Sequence, residues 1–349
     1  MHHCAAACYN LLMKLSQIGE FGLIEILKLA EKSKLRKDTL VGIGDDCAVI
    51  EGLGTGGRGM GKYQLITTDT FIENVHFKLQ EKNGRNRAMP AGRQDFSRRR
   101  DPFFAIGQKV MIANISDIAA MGGWPTHALV TIGLPKHIRV EQVQQLYKGI
   151  NQMAAKHQID IIGGDTISSP REVVISITLL GEVERENLLL RSGANRGDVI
   201  CVTGKFGGPA ANKFQNPKTC LPAGRSKIQT RIKESGIISK SKLVHAMIDS
   251  SDGLVRSVIE ICRASKTGAQ IWEERVPIDK GATIDQALYG GEEYELVFTL
   301  PKQNVAKLKA LKLKVTIVGE IVTQGSGIKL IDKHGKIKKL KSGGYEHFR

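Results

Sequence analysis

The chain of 349 residues lacks long hydrophobic runs, contains only 5% aromatic residues and has no dense cysteine pattern. No apolar stretch reaches the roughly 18 residues that a membrane-spanning helix needs, and the N-terminal residues lack the basic opening of a secretory signal. The six cysteines are scattered, which excludes a disulfide scaffold and is typical of a reducing compartment. These absences predict a cytoplasmic protein.

Acidic residues are fewer than basic residues. The chain has 35 Asp and Glu and 51 Lys and Arg, which gives a formal net charge of +16. Such an excess attracts polyanions, which include phosphorylated metabolites and nucleic acids. Much of the excess lies in residues 82–100 and 329–341. Neither segment alternates aromatic with basic residues as a base-stacking surface does. A basic nucleic-acid-binding protein therefore remains an alternative without a specific motif to support it.

Helical and strand-like patterns are mixed along both halves of the chain. In the first half, hydrophobic spacing predicts helices and strands in turn. The helices are expected at 16–32, 103–121 and 139–157, and the strands at 40–50, 63–69, 126–135, 159–165 and 172–184. This mixture predicts an α/β (α+β) protein with two domains, 13–186 and 187–349. Residues 1–12 are expected to be a frayed terminus, and Met13 could be the true start.

Three polar or glycine-rich segments interrupt this pattern. Residues 52–62 end in Lys62 but have Tyr63 where a phosphate-binding loop requires Ser or Thr, so we predict a hairpin connection. Residues 81–101 and 213–227 contain the similar runs MPAGRQ and LPAGRS. Two copies are too few for a repeat architecture, so we predict two insertions in loops.

Aspartates recur at the ends of apolar segments, each beside Gly, Ser or Thr. They are Asp45, Asp46, Asp69, Asp117, Asp165, Asp249 and Asp252. Carboxylate and hydroxyl oxygens suit Mg²⁺, which holds few protein ligands and bridges to substrate phosphates. Any single aspartate could instead cap a helix or form a turn by accepting backbone N–H bonds. The repetition favours a site for metal ions and phosphates.

A set of motifs follows in a fixed order over residues 16–348. The motifs are GIGDDCAVI (42–50), TTDTFIENVHF (67–77), NISDIAAMGG (114–123), IIGGDT (161–166), RSGANRGD (191–198), IDSSDGL (248–254), GGEEYEL (290–296) and GGYEHF (343–348). This order resembles the thiamine-monophosphate kinase family of the aminoimidazole ribonucleotide synthetase superfamily. The resemblance implies a two-domain fold whose N-terminal strands pair across a homodimer, and ATP-dependent phosphorylation of thiamine monophosphate to thiamine diphosphate.

The resemblance also implies a direct phosphoryl transfer that uses several Mg²⁺ ions and has no assigned general base. The implied metal ligands are Asp46, Thr67, Thr68, Asp69, Asp117, Asp165, Asp249 and Asp252. The implied ATP contacts are Gly164, Asp165, Arg191 and Ser251, and the implied substrate contacts are His76, Glu292 and Tyr345. We expect Asp46 to bind metal at the end of a core strand and Asp45 to form the turn.

Several alternatives stay open from the residues alone. Arg191 could be a surface arginine, His76 a packed or exposed histidine, and Tyr345 a core aromatic near the end of the chain. The family pattern has no counterpart of residues 81–101, and Pro209 replaces a small hydroxyl residue, which removes one possible phosphate donor. A sister ATP-dependent synthetase with another acceptor would share the aspartates, although the motifs NVHF and GGYEHF argue against it.

Overall fold

A computed structural model describes residues 14–30, 35–52, 61–79, 101–215, 229–338, 340 and 346–348. The predicted substrate contact Tyr345 lies outside these residues, as do residues 1–12, most of the insertion at 81–101 and most of that at 213–227. The described part contains two mixed sheets, one from each half of the chain. The predicted mixed α/β architecture is therefore confirmed.

The first sheet has six strands in the order β1-β2-β3-β6-β4-β5. Its strands are β1 Thr39–Val41, β2 Ala48–Glu51, β3 Lys62–Ile72, β4 Trp124–Leu134, β5 Asp160–Ser168 and β6 Val174–Glu184. Neighbouring strands are antiparallel except β4 and β5, which are parallel. Strand β5 is last in this order, so among the described residues it forms an edge of the sheet.

The helices of the described residues are distributed over both halves. They are α1 Leu15–Ala30, α2 Pro102–Ala120, α3 Val140–His157, α4 Gly208–Gln215, α5 Ile232–Ser241, α6 Leu254–Ser265, α7 Ile284–Tyr289 and α8 Val305–Ala310. None of the described helices is long and apolar enough to cross a membrane. The helices predicted at 103–121 and 139–157 correspond to α2 and α3.

The second sheet has seven strands in the order β13-β12-β9-β11-β7-β10-β8. Its strands are β7 Asp198–Thr203, β8 Ala246–Asp249, β9 Thr267–Trp272, β10 Leu296–Pro301, β11 Val315–Thr323, β12 Ile328–Ile331 and β13 Ile337–Lys338. Neighbours are antiparallel except β12 and β9. Strand β8 lies at one edge, and it ends at Asp249.

The single strand predicted over residues 40–50 is wrong. Strands β1 and β2 form an antiparallel pair in which Thr39 faces Ile50, and residues 42–47 connect them. Gly44 has φ +127, a conformation that L side chains rarely adopt, so the chain can reverse here. The paired aspartates therefore lie in a turn between two short strands.

Helix α2 joins the two halves of the protein. It packs against strands β3 and β6 of the first sheet, against helix α3, and against β8 and α5 of the second half. Most of its residues are buried, because it is covered on several sides. The core around α2 also includes Ile232 and Tyr294 from the second half. Helix α2 thus brings side chains of both halves to one place.

Candidate active site

Three aspartates from distant parts of the chain meet at the junction of the two halves. Asp46 comes from the β1–β2 turn, Asp117 from the last turns of α2, and Asp249 from the end of β8. One carboxylate oxygen of each lies within 4.8 Å of those of the other two. Asp46 and Asp249 are buried. We call these three residues the aspartate cluster.

Neighbouring hydroxyl groups orient two members of the aspartate cluster. The Thr67 hydroxyl donates to Asp117 Oδ2 at 2.6 Å, and the Ser116 hydroxyl donates to Asp249 Oδ2 at 2.7 Å. Sequence reasoning did not single out Ser116, although it lies within the NISD motif. These bonds leave other carboxylate oxygens available, and Asp46 Oδ2 is buried without a hydrogen-bond partner.

Burial and like charge act together on these carboxyl groups. Burial raises the pKa of Asp46, Asp117 and Asp249, and for Asp117 and Asp249 neighbouring carboxylates raise the pKa further. Burial, followed by the charge of Asp46, raises the pKa of Asp69 to about 6. Burial and then Glu20 raise the pKa of Asp252 to about 7. A bound cation would relieve this repulsion.

The donor set fits Mg²⁺. Three carboxylates and the Thr67 hydroxyl supply hard oxygen ligands, which Mg²⁺ prefers. Asp46 Oδ2, which has no hydrogen-bond partner, specifically indicates a cation site. A buried carboxylate oxygen without a partner is energetically unfavourable unless a cation or a donor reaches it. The described residues therefore present a suitable magnesium site.

Arg191 contacts the aspartate cluster directly. Its Nη2 donates to Asp46 Oδ1 at 2.6 Å and its Nε to the same oxygen at 3.2 Å. Burial opposes the charged form of Arg191, but the carboxylate of Asp46 prevails and the pKa of the guanidinium is raised. Arg191 is therefore not a surface arginine, because its side chain is only 20% exposed.

Asp45 serves the turn rather than the cluster. Its Oδ1 accepts the backbone N–H of Asp46 at 3.0 Å, and its Oδ2 accepts the backbone N–H of Arg191 at 3.2 Å. The prediction that Asp45 forms the turn is confirmed. It also ties the β1–β2 turn to the segment that carries Arg191.

The three residues of the TTD motif do not share one face of β3. Side chains alternate along a strand, so Thr67 and Asp69 point one way and Thr68 the other. The Thr68 hydroxyl accepts from the Thr178 hydroxyl at 3.2 Å on the exposed side. The structure therefore brings Thr67 to the aspartate cluster but not the Thr68 hydroxyl.

Gly164 and Asp165 lie on the edge strand β5, three positions along the sheet from the strand β3 that carries Thr67, and both are exposed. Gly164 has φ +150, and a Cβ at this position would collide with the Val130 carbonyl, so glycine permits the close approach of β5 to β4. Asp165 accepts the backbone N–H of Thr166 at 2.8 Å. Their predicted roles in binding ATP and metal stay predictions.

The loops after β8 and before β10 dock on each other. The exposed residue Ser251, a predicted ATP contact, accepts the backbone N–H of Glu292 through its carbonyl oxygen at 2.6 Å. Glu292 has φ +70, which is unusual for a residue with a side chain. This docking brings a predicted substrate contact next to the segment that carries Asp249 and Asp252.

His76 is held as a neutral imidazole. Burial, followed by the charges of His347 and Lys109, lowers its pKa to about 4. Its Nδ1 accepts the backbone N–H of Ile72 at 3.0 Å, so the ring proton resides on Nε2. His76 can therefore donate a hydrogen bond from Nε2 to a ligand.

A buried lysine that sequence reasoning missed connects these substrate residues. Lys109 of α2 forms an ion pair with Glu292 and donates to the carbonyl oxygen of His76 at 3.4 Å. A lysine among helical neighbours is normally read as exposed, so the pattern gave no signal of its burial.

The start of α4, which contains Pro209, lies beside a carboxylate of the protein itself. The backbone N–H of Gly207 donates to Glu293 Oε1 at 3.1 Å. A carboxylate at this point disfavours an anion, because the two negative groups would compete for the same N–H. The local arrangement at the start of α4 thus does not favour phosphate.

Comparison with protein families finds two matching domains. The family model for the AIR synthase related protein N-terminal domain matches residues 44–183, and that for the C-terminal domain matches residues 195–332. Together they include the three members of the aspartate cluster. The chain is thus similar to this family over most of both of its sheets.

Individual relatives and one solved structure show which proteins of this family the chain resembles. The chain is 32% identical to the thiamine-monophosphate kinase of Bacillus subtilis, over 88% of this chain and 94% of the relative. It is 33% identical to the thiamine-monophosphate kinase of Buchnera aphidicola, over 94% of this chain and 99% of the relative. A structure described as AaThiL complexed with AMPPCP and TMP aligns with a TM-score of 0.74 at 28% identity, covering 96% of this chain and 99% of that one.

Proposed function

This chain belongs to the thiamine-monophosphate kinase family, with the two AIR synthase related domains, and on that basis we propose how its residues perform the reaction. It is an enzyme that uses ATP to phosphorylate thiamine monophosphate, giving thiamine diphosphate. The observation that carries the proposal is the meeting of Asp46, Asp117 and Asp249 where the two halves of the chain join.

The aspartate cluster and Thr67 would hold Mg²⁺, with Asp69 and Asp252 close enough to add charge. The charges support including Asp69 and Asp252 with the aspartate cluster. In addition to burial, the charge of Asp69 raises the pKa of Asp117, Asp249 and Asp252. Bound Mg²⁺ supplies positive charge that offsets the repulsion between two phosphorylated reactants. Thr68, whose hydroxyl lies on the opposite face of β3, and Asp165 stay proposed ligands, to be tested individually.

Arg191 would grip the phosphates of ATP. Its guanidinium has five donors in a rigid fork, and its bonds to Asp46 Oδ1 use Nε and Nη2. Asp46 thereby orients the arginine, and the remaining donors can reach phosphate oxygens. Gly164, Asp165 and Ser251 complete the proposed nucleotide contacts.

His76, Glu292 and Tyr345 would contact thiamine monophosphate. His76 offers a neutral Nε2–H donor, and Glu292 offers a carboxylate paired with Lys109. The acceptor phosphate is already ionised near neutral pH, so its attack on the γ-phosphorus requires alignment but no proton removal. We therefore assign no general base and propose direct transfer from ATP.

The enzyme would work as a homodimer in the cytoplasm. The exposed apolar side chains of Leu129, Ile162 and Ile167 lie on strand β4 and the edge strand β5, where a second copy could cover them. The cysteines of the described residues, Cys47, Cys201 and Cys262, are free and buried, which suits a reducing compartment.

The alternatives explain less. Relatives that match over most of the chain are thiamine-monophosphate kinases, which argues against a sister synthetase with another acceptor. A nucleic-acid-binding protein would account for the net charge of +16 but not for a buried cluster of carboxylates.

The direct test follows the transferred phosphoryl group. The protein is incubated with Mg²⁺, thiamine monophosphate and ATP labelled at the γ-phosphorus, and the products are separated. We expect the label in thiamine diphosphate. Label released as inorganic phosphate, with thiamine monophosphate unchanged, would contradict the proposal.

A further inference from the structure

Lys109 lies in an unusual place for a lysine. Its side chain is 3% exposed, within a helix whose neighbours are mostly buried and apolar. A buried ammonium group is unfavourable unless negative or polar partners surround it. The groups that contact the Lys109 ammonium therefore indicate what the charged side chain does at this buried position.

Those partners come from three separate elements. The ammonium group pairs with the Glu292 carboxylate, donates to the His76 carbonyl oxygen at 3.4 Å and lies 5.5 Å from the centre of the Phe71 ring. Phe71 is in β3, His76 follows β3, and Glu292 is in the loop before β10. One side chain from α2 thus joins both halves of the proposed acceptor site.

Glu292 needs such a restraint because its backbone is strained. A φ of +70 at a residue with a side chain persists only where the surroundings hold it. The backbone N–H of Glu292 is held by the Ser251 carbonyl oxygen, and its carboxylate is held by Lys109. The two contacts fix the direction in which the side chain points.

His76 is fixed from the other side. Its ring centre lies 5.0 Å from that of Phe71, and its Nδ1 accepts from the Ile72 N–H. Lys109 contacts both the Phe71 ring and the carbonyl oxygen of His76. The turn that presents the His76 ring and the loop that presents Glu292 therefore rest on the same ammonium group.

We propose that Lys109 is a positioning residue for the acceptor, holding Glu292 and the His76 turn at the spacing that binds thiamine monophosphate. The inference rests on the proposed function, because it assumes that these two residues contact that substrate. A residue that supports a binding side chain affects affinity through that side chain rather than through its own contact with the ligand. Its loss should therefore weaken acceptor binding selectively.

The test compares four proteins: the wild type, Lys109→Met, Glu292→Gln and the double variant. Methionine has a similar length and suits the apolar surroundings of Lys109. The double variant removes both charges, so it keeps the test available if Lys109→Met alone leaves Glu292 too poorly paired to fold. Lys62→Met is the matched control, because Lys62 pairs with Glu182 at 2.8 Å at the far end of β3.

We expect Lys109→Met to raise the KM for thiamine monophosphate by about tenfold or more while the KM for ATP changes by less than about twofold. The double variant should be no more than about threefold worse than the more affected single variant, because both changes disrupt one unit. Lys62→Met should match the wild type. Thermal unfolding of each variant verifies folding.

Two results would overturn the inference. One is a Lys109→Met protein with an unchanged KM for thiamine monophosphate, or with equal rises for both substrates. The other is a double variant in which the two effects multiply, since Lys109 would then act independently of Glu292. A folded wild type without any phosphorylation of thiamine monophosphate would instead overturn the proposed function, and the inference with it.

Discussion

The guanidinium of Arg191 holds the carboxylate of Asp46, with Nη2 2.6 Å from Oδ1. The residue proposed to grip ATP is therefore bonded to a residue proposed to hold Mg²⁺. Asp45 strengthens this link by accepting the backbone N–H of Arg191. The proposed nucleotide site and the proposed metal site are consequently joined through one salt bridge.

Arg191→Met should destabilise the metal-free protein at pH 8 by about 3 kcal/mol, because it leaves the buried Asp46 carboxylate unpaired. Urea unfolding in the presence of EDTA measures the loss. The control is Arg185→Met, which removes an exposed pair with Glu51 and should cost less than about 1 kcal/mol. Equal losses in the two variants would contradict the role given to Arg191.

Asp117→Asn should abolish turnover while stabilising the metal-free protein. Asparagine keeps the volume and an acceptor for the Thr67 hydroxyl, but it removes a carboxyl group whose ionisation is disfavoured by burial and by neighbouring carboxylates. We expect the thermal midpoint in EDTA to rise by about 2 °C or more, and stabilisation by Mg²⁺ to be lost. Asp160→Asn, at an exposed position of β5, is the control and should leave both activity and Mg²⁺ stabilisation unchanged. Undiminished turnover of Asp117→Asn at saturating Mg²⁺ would refute the metal assignment.

Without metal, the stability of the protein should fall as pH rises above 6.5. Burial raises the pKa of Asp45 and Asp252 to about 7, so the folded chain holds protons that the unfolded chain has released. The free energy of unfolding then decreases with pH until these groups ionise. His76 and His157, whose pKa burial lowers to about 4, act in the opposite direction but only below about pH 6.5.

Thermal unfolding from pH 6.5 to 8 in EDTA measures this decline. The same series at saturating Mg²⁺ should show a smaller decline, because the ion binds the ionised carboxylates and stabilises the folded state. A thermal midpoint that rises with pH in EDTA would show that the carboxyl groups are not protonated in the folded chain.

Residues 81–100 should be dispensable for catalysis when Asp101 is kept. Asp101 caps α2, since its Oδ1 accepts the Phe103 N–H at 2.9 Å, so it belongs with the helix rather than with an insertion. Replacing 81–100 by a short Gly/Ser join should leave kcat/KM within about tenfold of the intact protein. Extending the deletion through Asp101 should lower the free energy of unfolding by about a further 1 kcal/mol, because the helix loses its cap. A chain that fails to fold after the shorter deletion would contradict this view.

The aspartate cluster could be predicted because each member ends an apolar segment beside small or hydroxyl residues. What brings Asp46, Asp117 and Asp249 together is the packing of α2 between the two halves, and hydrophobic periodicity carries no record of that packing. The same limit explains the error at 40–50, where two short strands joined by a glycine-containing turn resemble one apolar run.

Two other residues show which local patterns carry information. Alternation along β3 would have placed Thr68 on the face opposite Thr67, so this feature was available in the sequence. The burial of Lys109 could not be read from the sequence, because it depends on the loop that supplies Glu292, which is distant along the chain. The signal for such a residue is non-local and appears only when the chain has folded.

The most direct test of the central claim measures Mg²⁺- and ATP-dependent ADP release with thiamine monophosphate and with free thiamine at equal concentration, from pH 6 to 9. An alcohol acceptor generally needs a carboxylate to take its proton, whereas an ionised phosphate does not. The carboxylates of the aspartate cluster are assigned to metal, and Glu292 is paired with Lys109. We predict rapid release with thiamine monophosphate and none above background with free thiamine. Equal turnover of the two acceptors would contradict the account and make Glu292 the first residue to test as a base.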